Sequence, residues 1–222
     1  MKSKSKGKLA IFDTFKTKEK DLTGEAKRQR AIITILGSNV NPAERTRTGI
    51  SQKIAKKQNI TWKNIYSGIF RDLDEILLPM GIAEEDGRLP LKRGPKALQE
   101  KGIPYYHLTK EGILVGLAIN GVENMSSQLK EFFTKCEPEE KKIEKILTKF
   151  MTNSPNFTYS IFQKYVKAFC ENKINELLPF DLSKLKDISD ENLVIQKEIV
   201  LAFLKLTNQE KKEAAGFLEK IT

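Results

Sequence analysis

Histidine is nearly missing from this chain: His107 is the only one in 222 residues. The two cysteines, Cys136 and Cys170, are far apart and form no CxxC pair, so a zinc site has too few ligands. Both read as small buried hydrophobes. Long apolar runs are lacking too. The longest, Ile113 to Ile119, is broken by Gly116 and is far short of the roughly 20 residues that span a bilayer. Met1 to Lys8 has the charge of a signal n-region but no apolar core behind it, so a soluble, cytoplasmic protein with no membrane partner is expected. No GxxxxGK[ST], GxGxxG, HExxH or GxSxG phrase occurs. Paired carboxylates exist at Asp72, Asp74 and Glu75 and at Glu84, Glu85 and Asp86, where solvated acids on a helix and a turn are the simpler expectation. His107 lies in an aromatic strand and reads as packed or surface-exposed, not as a general base. No catalytic residue, metal site or cofactor is therefore assigned, and the chain is not expected to be an enzyme. No internal repeat is visible.

What the chain does have is positive charge in one place. It carries 39 Lys+Arg against 29 Asp+Glu, a net charge of +10. Residues 1 to 120 hold 23 Lys+Arg and 13 Asp+Glu, and residues 121 to 222 hold 16 of each, so the excess of 23 − 13 = 10 lies wholly in the first half. Confined excess of this kind points to a polyanion meeting that half. With 39% hydrophobic residues the chain can bury a real core.

Ile50 to Leu108 organises the basic half. Ser51 to Lys57 reads as a short helix, Asn59 and Ile60 turn the chain, and Thr61 is placed to cap a longer helix running toward Met80. Two helices crossing steeply need a small residue at the contact, which Ala55 supplies, and a residue tolerant of left-handed φ at the turn, which Asn59 supplies. Ile54, Ile60 and Ile65 are expected to share one core. Ile65, Ile69, Leu73 and Ile76 recur at helical spacing and leave Lys63, Ser67, Arg71 and Asp74 on another face. Trp62 is expected in the core. Before this motif, Glu25 to Leu36 reads as a helix with Ala31, Ile32, Ile35 and Leu36 inward, Lys27, Arg28 and Arg30 outward, and Gly37 as its stop. Leu9 to Leu22 is compatible with a short docking strand or helix, and residues 1 to 8 read as a mobile basic arm.

After the motif, Ile82 to Glu85 and Ile103 to Leu108 read as paired strands joined by the long basic stretch 86 to 102. Tyr106-His107-Leu108-Thr109-Lys110-Glu111-Gly112 leads into a further helix, with Thr109 as N-cap and Gly112 allowing close approach to the sheet. In this order of helix, helix-turn-helix, hairpin and closing helix, and in its Tyr-x-Leu-Thr-x-x-Gly phrase, the stretch from Glu25 to Ile119 resembles the winged-helix family of DNA-binding domains, as found in prokaryotic and archaeal transcription regulators. It departs from the common form in its long, proline-containing wing. The resemblance implies a recognition helix at 61–79 in the major groove of double-stranded DNA, with Lys63, Asn64, Ser67 and Arg71 nearest the base edges. It implies phosphate contacts from Arg45, Arg47, Lys53, Arg88, Lys92, Arg93, Lys96 and Lys101. A nucleoid-associated transcription regulator is the expectation, with an acidic protein partner or RNA as alternatives.

From Val122 onward the punctuation is helical. Glu137-Pro138 opens one helix, stopped by Asn153-Ser154-Pro155. Phe157 to Leu178 reads as a second, ending at Pro179, and Asp190 to Leu206 as a third. Thr207 and Glu210 have capping-box spacing before the last. The expected architecture is mainly α: a basic, partly disordered arm at 1–22, a winged helix-turn-helix domain with a small β-hairpin wing at 23–120, and an all-α C-terminal domain at 121–222. The last is expected to dimerise or dock a protein partner.

Overall fold

The computed structural model describes residues 8–38, 40–90, 102–119, 125–186 and 191–221. The protein is mainly helical, with two small antiparallel sheets. Its packing divides it into two compact units, Met1–Leu182 and Ser183–Thr222.

In the first unit the chain enters with Leu9, Ala10 and Ile11 buried, then forms a hairpin of β1 (Thr14–Phe15) and β2 (Lys18–Leu22). This entry is tied to α1 (Gly24–Ser38): the Ala10 backbone N–H donates to Gln29 Oε1 (2.8 Å), and Arg30 Nε donates to the Ile11 carbonyl (2.8 Å). Residues 8–22 thus dock onto the fold. Arg30, expected outward, is turned onto that segment, and burial lowers its pKa from the ordinary guanidinium value. Gly37 does not stop the helix. It lies within α1 where the helix approaches Leu108, and a Cβ there would come within 3.1 Å of the Leu108 Cδ1.

A 3-10 turn (Pro42–Arg45) leads into α2 (Arg47–Gln58), capped by Thr46, whose Oγ1 accepts from the Gly49 N–H (3.0 Å). Asn59 ends α2 at φ 54°, ψ 43°, the left-handed conformation that its short polar side chain tolerates. Then follow α3 (Lys63–Arg71) and, without a break, a π-helical turn (Asp72–Leu77). The single helix expected to run toward Met80 therefore changes winding at Asp72. β3 (Ala83–Leu89) pairs antiparallel with β4 (Ile103–Leu108), with a bulge between Glu85 and Gly87. Thr46 adds a lone bridge to Tyr105, fastening the α2 cap to the hairpin. Residues 91–101 of the connecting stretch lie outside the described residues.

The helix expected merely to close this region, α4 (Lys110–Ile119), is the centre of the unit. Every residue from Gly112 to Ala118 is buried, and α4 packs on α1, on α5 (Met125–Thr134) and on α8 (Pro155–Cys170). A helix apolar all round must be covered all round. Thr109 caps it, its Oγ1 accepting from the Gly112 N–H (3.1 Å) and donating to the Gly81 carbonyl (2.5 Å). The short helix α6 (Pro138–Lys141) and then α7 (Glu144–Asn153) precede α8. α8 ends at Cys170, eight residues before the expected end at Leu178, and Phe180 returns to stack on Phe162 and meet Tyr165 and Phe132 edge-on. Glu140 accepts from the Phe180 N–H (2.8 Å) and the Glu137 N–H (3.1 Å) and binds Lys110 at the start of α4. The boundary expected at residue 120 thus falls inside the unit. Cys136 and Cys170 are buried, and burial raises their thiols to about 11 and about 12.

The second unit holds α9 (Glu191–Lys205) and α10 (Asn208–Ile221). The turn between them has the capping box read from the sequence: the Thr207 N–H donates to Glu210 Oε2 (2.8 Å) and the Glu210 N–H to Thr207 Oγ1 (3.4 Å). No described helix is long and apolar enough to cross a membrane.

Candidate nucleic-acid interface

Helix α3 sorts its residues by side. Ile69 is fully buried and Ile65 half-buried, while Lys63, Asn64, Ser67 and Arg71 are all exposed. Their spacing of three and four places Lys63 or Asn64, Ser67 and Arg71 along one helical face. Among the described residues, the side chains of Lys63, Asn64 and Ser67 make no hydrogen bond or ion pair. Arg71 is about half exposed, and its guanidinium lies 3.6 Å from Asp72 Oδ1, just beyond hydrogen-bond reach. These are groups that can still recognise something else.

Helix α3 is held against α1 beside this face by an ion pair whose carboxylate is buried. Asp72, fully buried, accepts from Arg28 Nε (2.8 Å) and Nη2 (3.5 Å), joining α1 to the C-terminal end of α3. Gly68 makes room for this: a Cβ at that position would lie 2.9 Å from Arg28 Nε. Arg28, Asn64, Ile65, Ser67, Gly68 and Arg71 together line a hollow of about 430 Å³. The sequence placed Arg28 outward on α1 but carried no sign of its partner, 44 residues away.

Three expectations about the motif are corrected. Thr61 offers no side-chain cap to α3; its backbone carbonyl accepts from the Asn64 N–H (3.0 Å). Ile60 is 43% exposed instead of joining the core, because the turn carries it past the α2–α3 contact. Trp62 is half-buried, edge-on to Tyr66 with ring centroids 5.7 Å apart. Ala55 and Ile54 are buried where expected.

The residues assigned to phosphate have other neighbours. Arg47 makes a two-pronged pair with Asp74 (Nε to Oδ2 3.0 Å, Nη2 to Oδ1 2.6 Å) and lies over the rings of Phe70 and Tyr106. Burial opposes its charge, but Asp74 with Tyr106 and Tyr66 outweighs burial and holds the guanidinium above its ordinary pKa. Burial likewise pushes Tyr106 up to about 12. Arg45 donates to Asp86 Oδ2 (2.8 Å) and covers the Tyr105 ring; Lys53 pairs with Glu44 (2.5 Å), and Arg88 with Glu85 (2.6 Å). Lys92, Arg93, Lys96 and Lys101 lie outside the described residues.

Four carboxylates of the two acidic clusters are paired by the same contacts. Asp72 meets Arg28, Asp74 meets Arg47, Glu85 meets Arg88, and Asp86 meets Arg45. Glu84 lies 3.0 Å from His107 Nε2 across the hairpin, while Asp86 lies 3.5 Å from the buried Nδ1, which makes no hydrogen bond among the described residues. Among the described residues no three His, Cys, Asp or Glu side chains converge as metal ligands would. Compared with protein-family models, with curated proteins and with solved structures, the chain matches none of them.

Proposed function

We propose that residues 23–120 are a winged-helix DNA-binding module, that the protein is a non-enzymatic transcription regulator, and that α3 enters the major groove of duplex DNA. The single observation that carries this reading is the exposed face Lys63, Asn64, Ser67 and Arg71 on a helix braced by the buried Arg28–Asp72 pair. Chain order supports it: α1, the Thr46 bridge, α2, α3, the β3–β4 hairpin and α4 follow one another as the winged-helix plan requires. In the groove Asn64 can meet adenine through two hydrogen bonds, Arg71 can meet guanine likewise, and Ser67 can serve either base.

Affinity then comes mainly from cations without an internal carboxylate partner. Lys63, Lys56 and Lys57 are exposed at the end of α2 and the start of α3, whereas Arg45, Arg47, Lys53 and Arg88 already hold acids. We assign those four primarily to bracing the hairpin and the α2 cap, and the remaining basic residues of the wing at 86–102 to the DNA backbone.

Selection of bound sequences from a random duplex pool tests the reading. The intact chain should enrich a defined motif, and Arg71→Ala should lose preference at one position, a cost of about 1–3 kcal/mol. Recovery of unenriched DNA by both would overturn base reading by Arg71. The internal pairing of four basic residues favours one competing reading, a module that docks an acidic protein. A stable copurifying acidic partner together with no duplex affinity would establish that instead, and a duplex RNA competitor that displaces DNA would shift the target to RNA.

A further inference from the structure

The unit Ser183–Thr222 leaves its apolar surface open. On α9, Val194, Ile195, Ile199, Val200, Leu201, Phe203 and Leu204 are all exposed, Leu204 by 66% and Val200 by 57%. Ile199, Val200 and Leu201 are consecutive, and at 3.6 residues per turn they cover more than half the circumference of the helix. One flanking element cannot cover all three. α10 does little of this work: among the described residues the two helices touch sparsely, with Lys211 Nζ 5.9 Å over the Phe203 ring near the turn. A helix apolar around its girth is stable in water only when enclosed.

Charge and exposed area indicate what encloses it. An open apolar surface of this kind is held by a disulfide, a metal or association. Both cysteines lie outside the unit, and its described residues gather no metal-ligand group. Its charge is balanced, seven Lys against seven Asp+Glu, in a chain that is +10 elsewhere. Balanced charge gives no attraction for a nucleic acid or an anionic lipid surface, and no repulsion between two identical copies. Seven half-exposed apolar side chains offer several hundred Å² per copy, the order of the roughly 800 Å² that each partner contributes to a stable interface.

We infer that α9 and α10 are a self-association element, and that the occupant of the open α9 surface is the same element of a second copy. The two pairs of helices enclose the α9 residues in one isologous bundle, in which each copy presents the same patch to the other. This narrows the interaction expected of residues 121–222 to 191–221 and does not depend on DNA binding.

Sedimentation velocity and light scattering of the full chain, without DNA and in high salt, test it. The wild type should have twice the 25.3 kDa chain mass, and the exposed-site variants Val200→Glu and Leu204→Glu should have the single mass with the helical circular dichroism of unit 1 retained. The variants should dissociate at a concentration at least about tenfold higher than wild type. A wild type that stays at the single mass at all concentrations would overturn the inference. So would variants that keep the doubled mass, or a monomer that cosediments with zwitterionic vesicles. Duplex affinity is read separately on the same samples, so loss of one property is not confused with loss of the other.

Discussion

At Asp72 a carboxylate has been taken wholly out of water, and the Arg28 guanidinium at 2.8 Å, with Arg71 farther off at 3.6 Å, keeps that from being ruinous. Removing one partner of a buried pair leaves the other uncompensated, which costs on the order of 3 kcal/mol or more. Arg28→Ala should therefore lower the urea midpoint more than Arg71→Ala, because Arg71 is exposed and lies 3.6 Å away; equal effects would mean that the pair does not brace α3. Gly112 is a second residue whose identity is fixed by space. A Cβ there would lie 2.0 Å from the Ile82 carbonyl oxygen, so Gly112→Ala must push α4 off the sheet. A loss of about 3 kcal/mol is expected in thermal unfolding, within the upper range of overpacking effects. Asn59 is kept for its backbone: Asn59→Gly should be nearly neutral, and Asn59→Val should cost about 1–2 kcal/mol by denaturant melting, since a β-branched residue resists φ 54°.

Elements were legible where the rule that sets them is local. Ala55 at the helix crossing, Asn59 at the turn, Thr109 as cap, Gly112 as close approach and Thr207 with Glu210 as capping box all act within a few residues of themselves. The face of α3 was legible for the same reason, since spacing alone places Lys63, Ser67 and Arg71 together. What the sequence hid depends on distant partners. Arg47 finds Asp74 27 residues on, and Arg45 finds Asp86 41 residues on, so four cations assigned to phosphate turn out to be tied within the protein. The end of α8 was misplaced because Phe180 returns to cap its core, and a local apolar pattern cannot distinguish a returning loop from another helical turn. Helix α5, unread in the sequence, buries Met125, Leu129, Phe132 and Phe133 against neighbours of the same kind.

For the whole molecule, the decisive joint is between α4 and the helices that follow. Glu140 is buried, accepts two backbone N–H groups and binds Lys110; burial alone would raise its carboxyl, but these partners outweigh burial and hold it below the ordinary 4.5. A carboxyl depressed in the folded state stabilises fully above its unfolded value and loses that contribution as pH falls through the folded one. Acid should therefore loosen unit 1 below about pH 4.5. Glu140→Gln should be less stable than wild type at neutral pH yet show a smaller further loss on acidification, measured by urea unfolding at both. An identical acid loss in the variant would remove Glu140 from the joint. Because α4 is shared by the hairpin side and by α5 and α8, α3 stands on one continuous core.

Whether that core presents α3 to DNA is measured most directly by the binding of the intact chain to duplex DNA across a salt series. Phosphate contact by Lys56, Lys57, Lys63 and the wing requires tight binding at low salt and a logarithmic slope of about −0.9 for each phosphate neutralised, shallower by about one such step in Lys63→Ala. No binding at low salt, or affinity indifferent to salt, would contradict it.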